Sequence, residues 1–249
     1  HKIVYDTIKN IANNIPILPK VCKSPKTTTT KNLGYSLAKK GYKVLLVDYD
    51  PQCNTTKGLS KRNYRKTVID MMRGTDVRRC IYKTRYDMDI LPGNQFLASE
   101  EIADHVITDQ MNLILRDYDF IINDTSPYFN KLTAEILFAT DMAVIPTVVE
   151  PDSLDGMSTT INELEELCDY DIKYKILFTQ VNDLKSTADD VKVLEDNLDD
   201  LVFDTKIRFH RYAVKRARMK QQPLAKRYRR ASVTRDYEKL ANEIVREAD

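Results

Sequence analysis

The chain has 249 residues, 42% of them apolar, so it can bury a proper core and disorder is not its default state. No apolar run reaches the roughly 18 residues of a membrane span, and residues 1–20 lack the basic start and clean apolar run of a signal peptide, so a cytoplasmic protein is expected. The net charge of +2 is unevenly placed: twelve Lys/Arg and no Asp/Glu lie between Lys206 and Arg235, leaving the rest of the chain acidic and pointing to a polyanion partner for one face.

In chain order, residues 1–14 read as a helix, an unusual prelude. IPILPKV (15–21) should be the first central strand, although Pro16 and Pro19 each remove a ladder donor. TTTTKNLGYSLAKK predicts a helix with Leu33, Leu37 and Ala38 on one face and Gly41 at its C-cap. YKVLLVD (42–48) is nearly all apolar, as a buried parallel strand requires. DMDILPG (87–93), DFIINDTSP (119–127), MAVIPTVV (142–149), YKILFTQVN (174–182) and a short LVFDTKIRF (201–209) are further strands. Helices are expected over 99–116, 132–140, 158–168, 188–199 and 235–247. Strands alternating with helices imply βαβ units. The expected fold is α/β, a mostly parallel twisted sheet flanked by helices. A single domain over 1–249 is expected, with 1–19 an atypical N-terminal segment and 206–235 a basic region.

The four cysteines (Cys22, Cys53, Cys80, Cys168) have no metal-type spacing and read as reduced thiols. Lys26 and Thr27 precede a helix in the order that phosphate binding requires: a lysine for the β/γ phosphates, then a hydroxyl for Mg²⁺. Alone, Lys-Thr before a helix is an ordinary N-terminal turn. VLLVDYDPQ adds Asp48 and Asp50 at the end of a strand, where α/β sheets place ligands, and DFIINDTSP adds Asp124 at the end of another. Any one of these aspartates could be a turn former; three in this order beside Lys-Thr can hold a Mg-nucleotide and orient a water.

The run TTTTKNLGYSLAKKGYKVLLVDYDPQCNTTKGL resembles the ParA family of partition ATPases, the deviant-Walker P-loop group that also includes MinD. The resemblance continues through DFIINDTSP, ATDMAVIPTVVEPDSLDGM and YKILFTQVND to the basic region and last helix, about residues 20–249. It implies slow ATP hydrolysis with ATP and Mg²⁺ as cofactors, an ATP-dependent homodimer, nonspecific DNA binding and a ParB-like centromere-binding partner. By this resemblance Lys26 is the phosphate-binding lysine, with Thr28 beside it, and Thr27 a Mg²⁺ ligand. Asp50 positions the attacking water, Asp48 lies near the metal, and Asp124 is the Walker B aspartate. Glu150 matches a position that contacts the partner's nucleotide, and Asn182 and Asp183 end the strand near adenine.

The loop departs from the family. Against the pattern K-G-G-x-G-K-[ST]-[ST], the chain has Val21, Cys22, Lys23, Ser24 and Pro25 before Lys26; its first glycine is Gly34. Glycines let bare N–H groups close on phosphate at positive φ, and Pro25 donates no N–H. Lys20 and Lys23 carry charge but stand out of register with the family's signature lysine. The resemblance therefore implies a phosphate-binding scaffold whose cradle is not the known one, with nucleotide binding weak or lost. The alternative function is a ParA-like protein that binds DNA or a partner with little or no hydrolysis.

In the basic segment, Arg208, Arg211, Lys215, Arg216, Arg218, Lys220 and Arg227 are the candidate DNA contacts, interleaved with Phe209, Tyr212 and Tyr228. The other reading is a solvated face. His210 has no partner in sequence. MinD-like membrane association needs a basic amphipathic final helix, whereas YEKLANEIVREAD carries more acid than base, so no membrane partner is expected. An iron–sulfur reductase of the same superfamily needs cysteines at a dimer seam, a pattern these cysteines do not match.

Overall fold

Eight strands form one sheet in the order β3-β4-β2-β5-β1-β6-β7-β8 in a computed structural model that describes residues 13–17, 26–166, 172–182 and 185–248. The strands are β1 (Asn13–Ile17), β2 (Val44–Asp48), β3 (Tyr82–Lys83), β4 (Asp89–Leu91), β5 (Phe120–Asp124), β6 (Met142–Val148), β7 (Lys173–Val181) and β8 (Ile207–Arg208). All pairings are parallel except that of the edge strand β3 with β4. The helices are α1 (Lys26–Lys39), α2 (Asn54–Leu59), α3 (Val68–Met72), α4 (Val106–Asn112), α5 (Lys131–Phe138), α6 (Pro151–Glu166), α7 (Lys185–Leu198), α8 (Arg211–Met219) and α9 (Ser232–Ala248). The expected α/β class is the one found.

Strands β2, β4 and β5 are buried along their whole length, as parallel strands covered on both faces must be. Alternation divides their side chains between two layers. Leu46 and Ile122 pack with Leu33 and Leu37 of α1 and with Tyr237, Leu240 and Ile244 of α9. Leu45, Val47 and Ile121 pack instead with α3, α4 and α5 through Met71, Ile107 and Ile136. Around β6 and β7, Ile145, Phe178, Leu164 and Val191 make a third cluster. Helix α1 lies close on the sheet because residue 34 is glycine; a Cβ there would meet Leu46 Cδ2 at 2.7 Å. The helix ends as expected, with Gly41 at φ 98°.

Several expectations need correction. Asn13 and Asn14 belong to β1, not to a helix; residues 1–12 and 18–25 lie outside the described residues. Pro16 nevertheless sits in a central strand. Successive residues of a parallel strand bond alternately to the two neighbours, so one proline removes a bond on one side only. Pairing of β1 with β5 runs over all five residues, but with β6 it holds only at Ile17↔Val144. The expected helix 99–116 is reduced to α4, because His105 takes a left-handed conformation (φ 61°) just before it. Helix α6 starts earlier than expected, with Pro151 at its first position, where a missing N–H costs nothing; Cys168 is outside the described residues. Of LVFDTKIRF only β8 and a single bridge, Ile176↔Val202, join the sheet. Helices α2, α3 and α8 and strand β3 were not anticipated. No helix among the described residues is long and apolar enough to cross a membrane.

Candidate functional site

Strands β2 and β5 are adjacent and parallel, and their last residues are in register, so Asp48 stands beside Asp124. Both carboxyls are fully buried. Helix α1 begins over these strand ends, its first turn facing them. Thr27 Oγ1 donates to Asp124 Oδ2 at 2.9 Å, and Thr55 Oγ1 donates to the same oxygen at 2.7 Å. Asp124 Oδ1 is buried without a hydrogen-bond partner. Burial raises the Asp124 carboxyl above the usual range, and the two threonine hydroxyls and Lys26 oppose the rise.

Asp48 is held more completely. Its Oδ2 accepts from the Thr56 backbone N–H (2.8 Å) and the Thr56 hydroxyl (2.6 Å), and Asp50 N–H donates to Oδ1 at 3.3 Å. Burial, then repulsion from Asp124, pushes its pKa up to about 7. Gly93 leaves room for it: a Cβ there would meet Asp48 Cγ and its carbonyl oxygen at 2.9 Å. Gly93 N–H in turn donates to Thr56 Oγ1 at 2.9 Å.

Lys26, at the first position of α1, is buried and donates from Nζ to the Thr125 carbonyl at 2.9 Å. Its ammonium also lies 3.6 Å from Asp50 Oδ2, and Asp50 Oδ1 accepts from Gln52 N–H at 2.8 Å. Lys26, Thr27, Thr28 and Asp50 line one cleft of about 1100 Å³, together with Lys31, Tyr49, Gly58, Tyr128, Arg218 and Gln221 among others. The free oxygen of Asp124 and the hydroxyl of Thr27 fit a hard divalent cation, which takes oxygen ligands and keeps sites for phosphate and water. Sequence reasoning missed Thr55 and Thr56; they lie three and four residues beyond DYDPQ and cap the strand-end carboxylates from α2.

The other candidates lie apart. Glu150 and Asn182 are exposed, at the ends of β6 and β7, and do not line this cleft; Asp183 is outside the described residues. Within α8 and its flanks, Arg211, Lys215, Arg216, Lys220 and Arg227 are exposed. Arg208 is committed to Asp236, donating from Nη2 to Oδ1 at 2.6 Å and from Nε to Oδ2 at 3.0 Å. Arg218 is exposed too, and lines the cleft. The Arg216 guanidinium lies 5.5 Å from the Tyr212 ring centre, and Tyr212 and Met219 are exposed beside it. His210 has a structural role: it caps α8, its Nδ1 accepting from Ala213 N–H at 3.4 Å. Cys53 and Cys80 are buried free thiols, and burial pushes Cys53 up to about 11, which keeps it protonated.

The chain matches the AAA domain family over residues 21–178. It is 36% identical to the sporulation initiation inhibitor protein Soj of Bacillus subtilis over 148 residues, 55% of this chain and 58% of that protein. It is 33% identical to the chromosome-partitioning ATPase Soj of Thermus thermophilus over 144 residues, 57% of each. The matched part thus spans under two thirds of these relatives. Among solved structures, cobyrinic acid a,c-diamide synthase from Mycobacterium smegmatis, with bound ATP analog and magnesium, superposes at a TM-score of 0.80 and 20% identity, covering 95% of each chain.

Proposed function

The chain belongs to the AAA-domain family of the ParA and MinD proteins, and on that premise we propose that it is a ParA-like partition ATPase. The whole of residues 1–249 acts as one unit in this reading. The supporting observation is the pair of threonine hydroxyls that satisfies Asp124 Oδ2 and leaves Oδ1 free, 97 residues along the chain from Thr27 and beside Lys26. Thr27 and Asp124 would hold Mg²⁺, whose contribution is to neutralise charge building on the transferred phosphoryl group. Lys26 holds phosphate from the start of α1, where the helix dipole adds to its charge, and Thr28 follows on the same turn. Asp48, fixed by Thr56, keeps the strand end rigid. Asp50 accepts a hydrogen bond from the attacking water and orients it.

In this reading the chain dimerises with ATP and binds duplex DNA without sequence preference through α8. It takes a ParB-like centromere-binding partner and works in the cytoplasm, with Glu150 facing the partner's nucleotide and Asn182 and Asp183 near adenine. A second reading, binding without hydrolysis, draws on the glycine-free stretch from Val21 to Pro25. Asp50→Ala separates the two. The ATPase reading expects turnover to fall about a hundredfold or more, the scale of a positioned proton acceptor, with ATP affinity nearly unchanged. Turnover equal to the parent would remove Asp50 from the mechanism.

A further inference from the structure

Lys31 lies one turn beyond Thr27 on α1, on the side that faces α2. Its side chain is buried (6% exposed) yet lines the cleft. Among the described residues none gives its ammonium a hydrogen bond or an ion pair. Asp124 and Asp48 act on it only through space, and burial lowers its pKa. Gly58 fixes where it points: a Cβ on residue 58 would collide with the Lys31 ammonium. A second cation reaches the same end of the cleft. Arg218, in the last turn of α8, lines it, and among the described residues its guanidinium also lacks a partner.

This corner is fixed on every side. Gln221, held at φ 50°, donates from Nε2 to the Lys57 carbonyl at 2.7 Å, and Tyr86 Oη donates to the Gln221 carbonyl at 2.7 Å. Asn32, next to Lys31, donates to the Thr28 carbonyl (2.7 Å) and accepts from Leu224 N–H (2.7 Å). The segment after α8 is therefore tied to the second turn of α1. Two cations converging without a direct ion pair, one of them buried and feeling Asp124 and Asp48 only through space, are costly unless an anion joins them.

We propose that Lys31 and Arg218 form a second anion subsite, at the α2–α8 end of the cleft, which takes a phosphate group and links the basic helix α8 to the filled cleft. The inference rests on reading the cleft as a nucleotide site, but its residues are not the motif residues. The phosphate belongs either to the bound nucleotide or to free orthophosphate.

The test is calorimetric titration of the full chain with ATP, ADP and orthophosphate, comparing the parent with Lys31→Met, Arg218→Gln and Lys26→Ala. Lys31→Met and Arg218→Gln are each expected to weaken binding about tenfold, the scale of one charge-assisted hydrogen bond. Loss in the orthophosphate arm assigns the subsite to free phosphate; loss confined to ATP or ADP assigns it to the nucleotide. In thermal melts without ligand, Lys31→Met should be as stable as the parent or more so, because an unpaired buried charge is gone. Arg218→Gln alters an exposed side chain and cannot fail by unfolding. Unchanged affinities in both variants for all three ligands would overturn the subsite. The nucleotide-site reading fails separately, if Lys26→Ala leaves ATP affinity unchanged.

Discussion

The strand-end carboxylates and helix α8 are both charged, and they are built in opposite ways. Asp48 and Asp124 are buried, adjacent and held by hydroxyls and N–H groups at fixed distances. The cations of α8 are all exposed, Arg218 at the edge of the cleft, on a helix whose buried positions are two alanines, Ala213 and Ala217. The first arrangement concentrates field on one point and fails when one member is lost. The second spreads charge over a surface and loses strength in small steps. Substitutions should follow that division.

The largest effect is expected at Asp124. Asp124→Asn preserves shape but removes the charge that Thr27 and Thr55 address. Turnover should fall roughly 1000-fold, about 4 kcal/mol in the barrier. The ligand-free protein should melt at a higher temperature, because the repulsion that raises Asp48 is relieved. A steady-state ATPase assay and a melting curve check both; a variant that hydrolyses normally would place the metal elsewhere.

An intermediate effect is expected in the stretch before α1. Val21→Lys, Cys22→Gly, Lys23→Gly and Pro25→Gly together restore the family pattern. They should tighten ATP binding at least tenfold, about 1.4 kcal/mol. Equal affinity before and after would show that these residues do not limit binding.

The smallest single-residue effects belong to α8. Glutamate at Arg211, Lys215 or Arg216 should weaken duplex binding a few-fold each, equally for every sequence, since phosphate contacts carry no base information. Each should also reduce the slope of log K against log [salt] by about 0.9. Filter binding across a salt series reads both quantities. A flat salt response in the parent would make the basic stretch a solvated face. Arg208→Ala should behave differently, lowering stability by breaking its pair with the buried Asp236.

The same contrast governs what the sequence made legible. Asp48 and Asp124 could be placed because an apolar run followed by Asp marks a strand end, and parallel register then sets the two side by side. Their partners could not. Thr55, Thr56 and Gly93 meet Asp48 and Asp124 only once α2 and the loop after β4 fold over the strand ends, and no local pattern encodes that. In α8 the charge count was visible but its direction was not. Arg216 and Arg218 lie about 200° apart around a helix, so of these two exposed side chains only Arg218 lines the cleft. Only the packing of Ala213 and Ala217 decides which. The overlong helix 99–116 failed because helical composition does not reveal a single left-handed residue such as His105.

ATP hydrolysis at this cleft requires above all that Asp124 Oδ1 and Thr27 hold a cation beside bound phosphate. The direct measurement is ATP affinity of the unmodified chain, by calorimetry, with Mg²⁺ and with chelator. The expected result is binding that Mg²⁺ strengthens at least tenfold, about 1.4 kcal/mol, and that loses this gain in Asp124→Asn. ATP affinity that is absent, or the same with and without Mg²⁺, would contradict it.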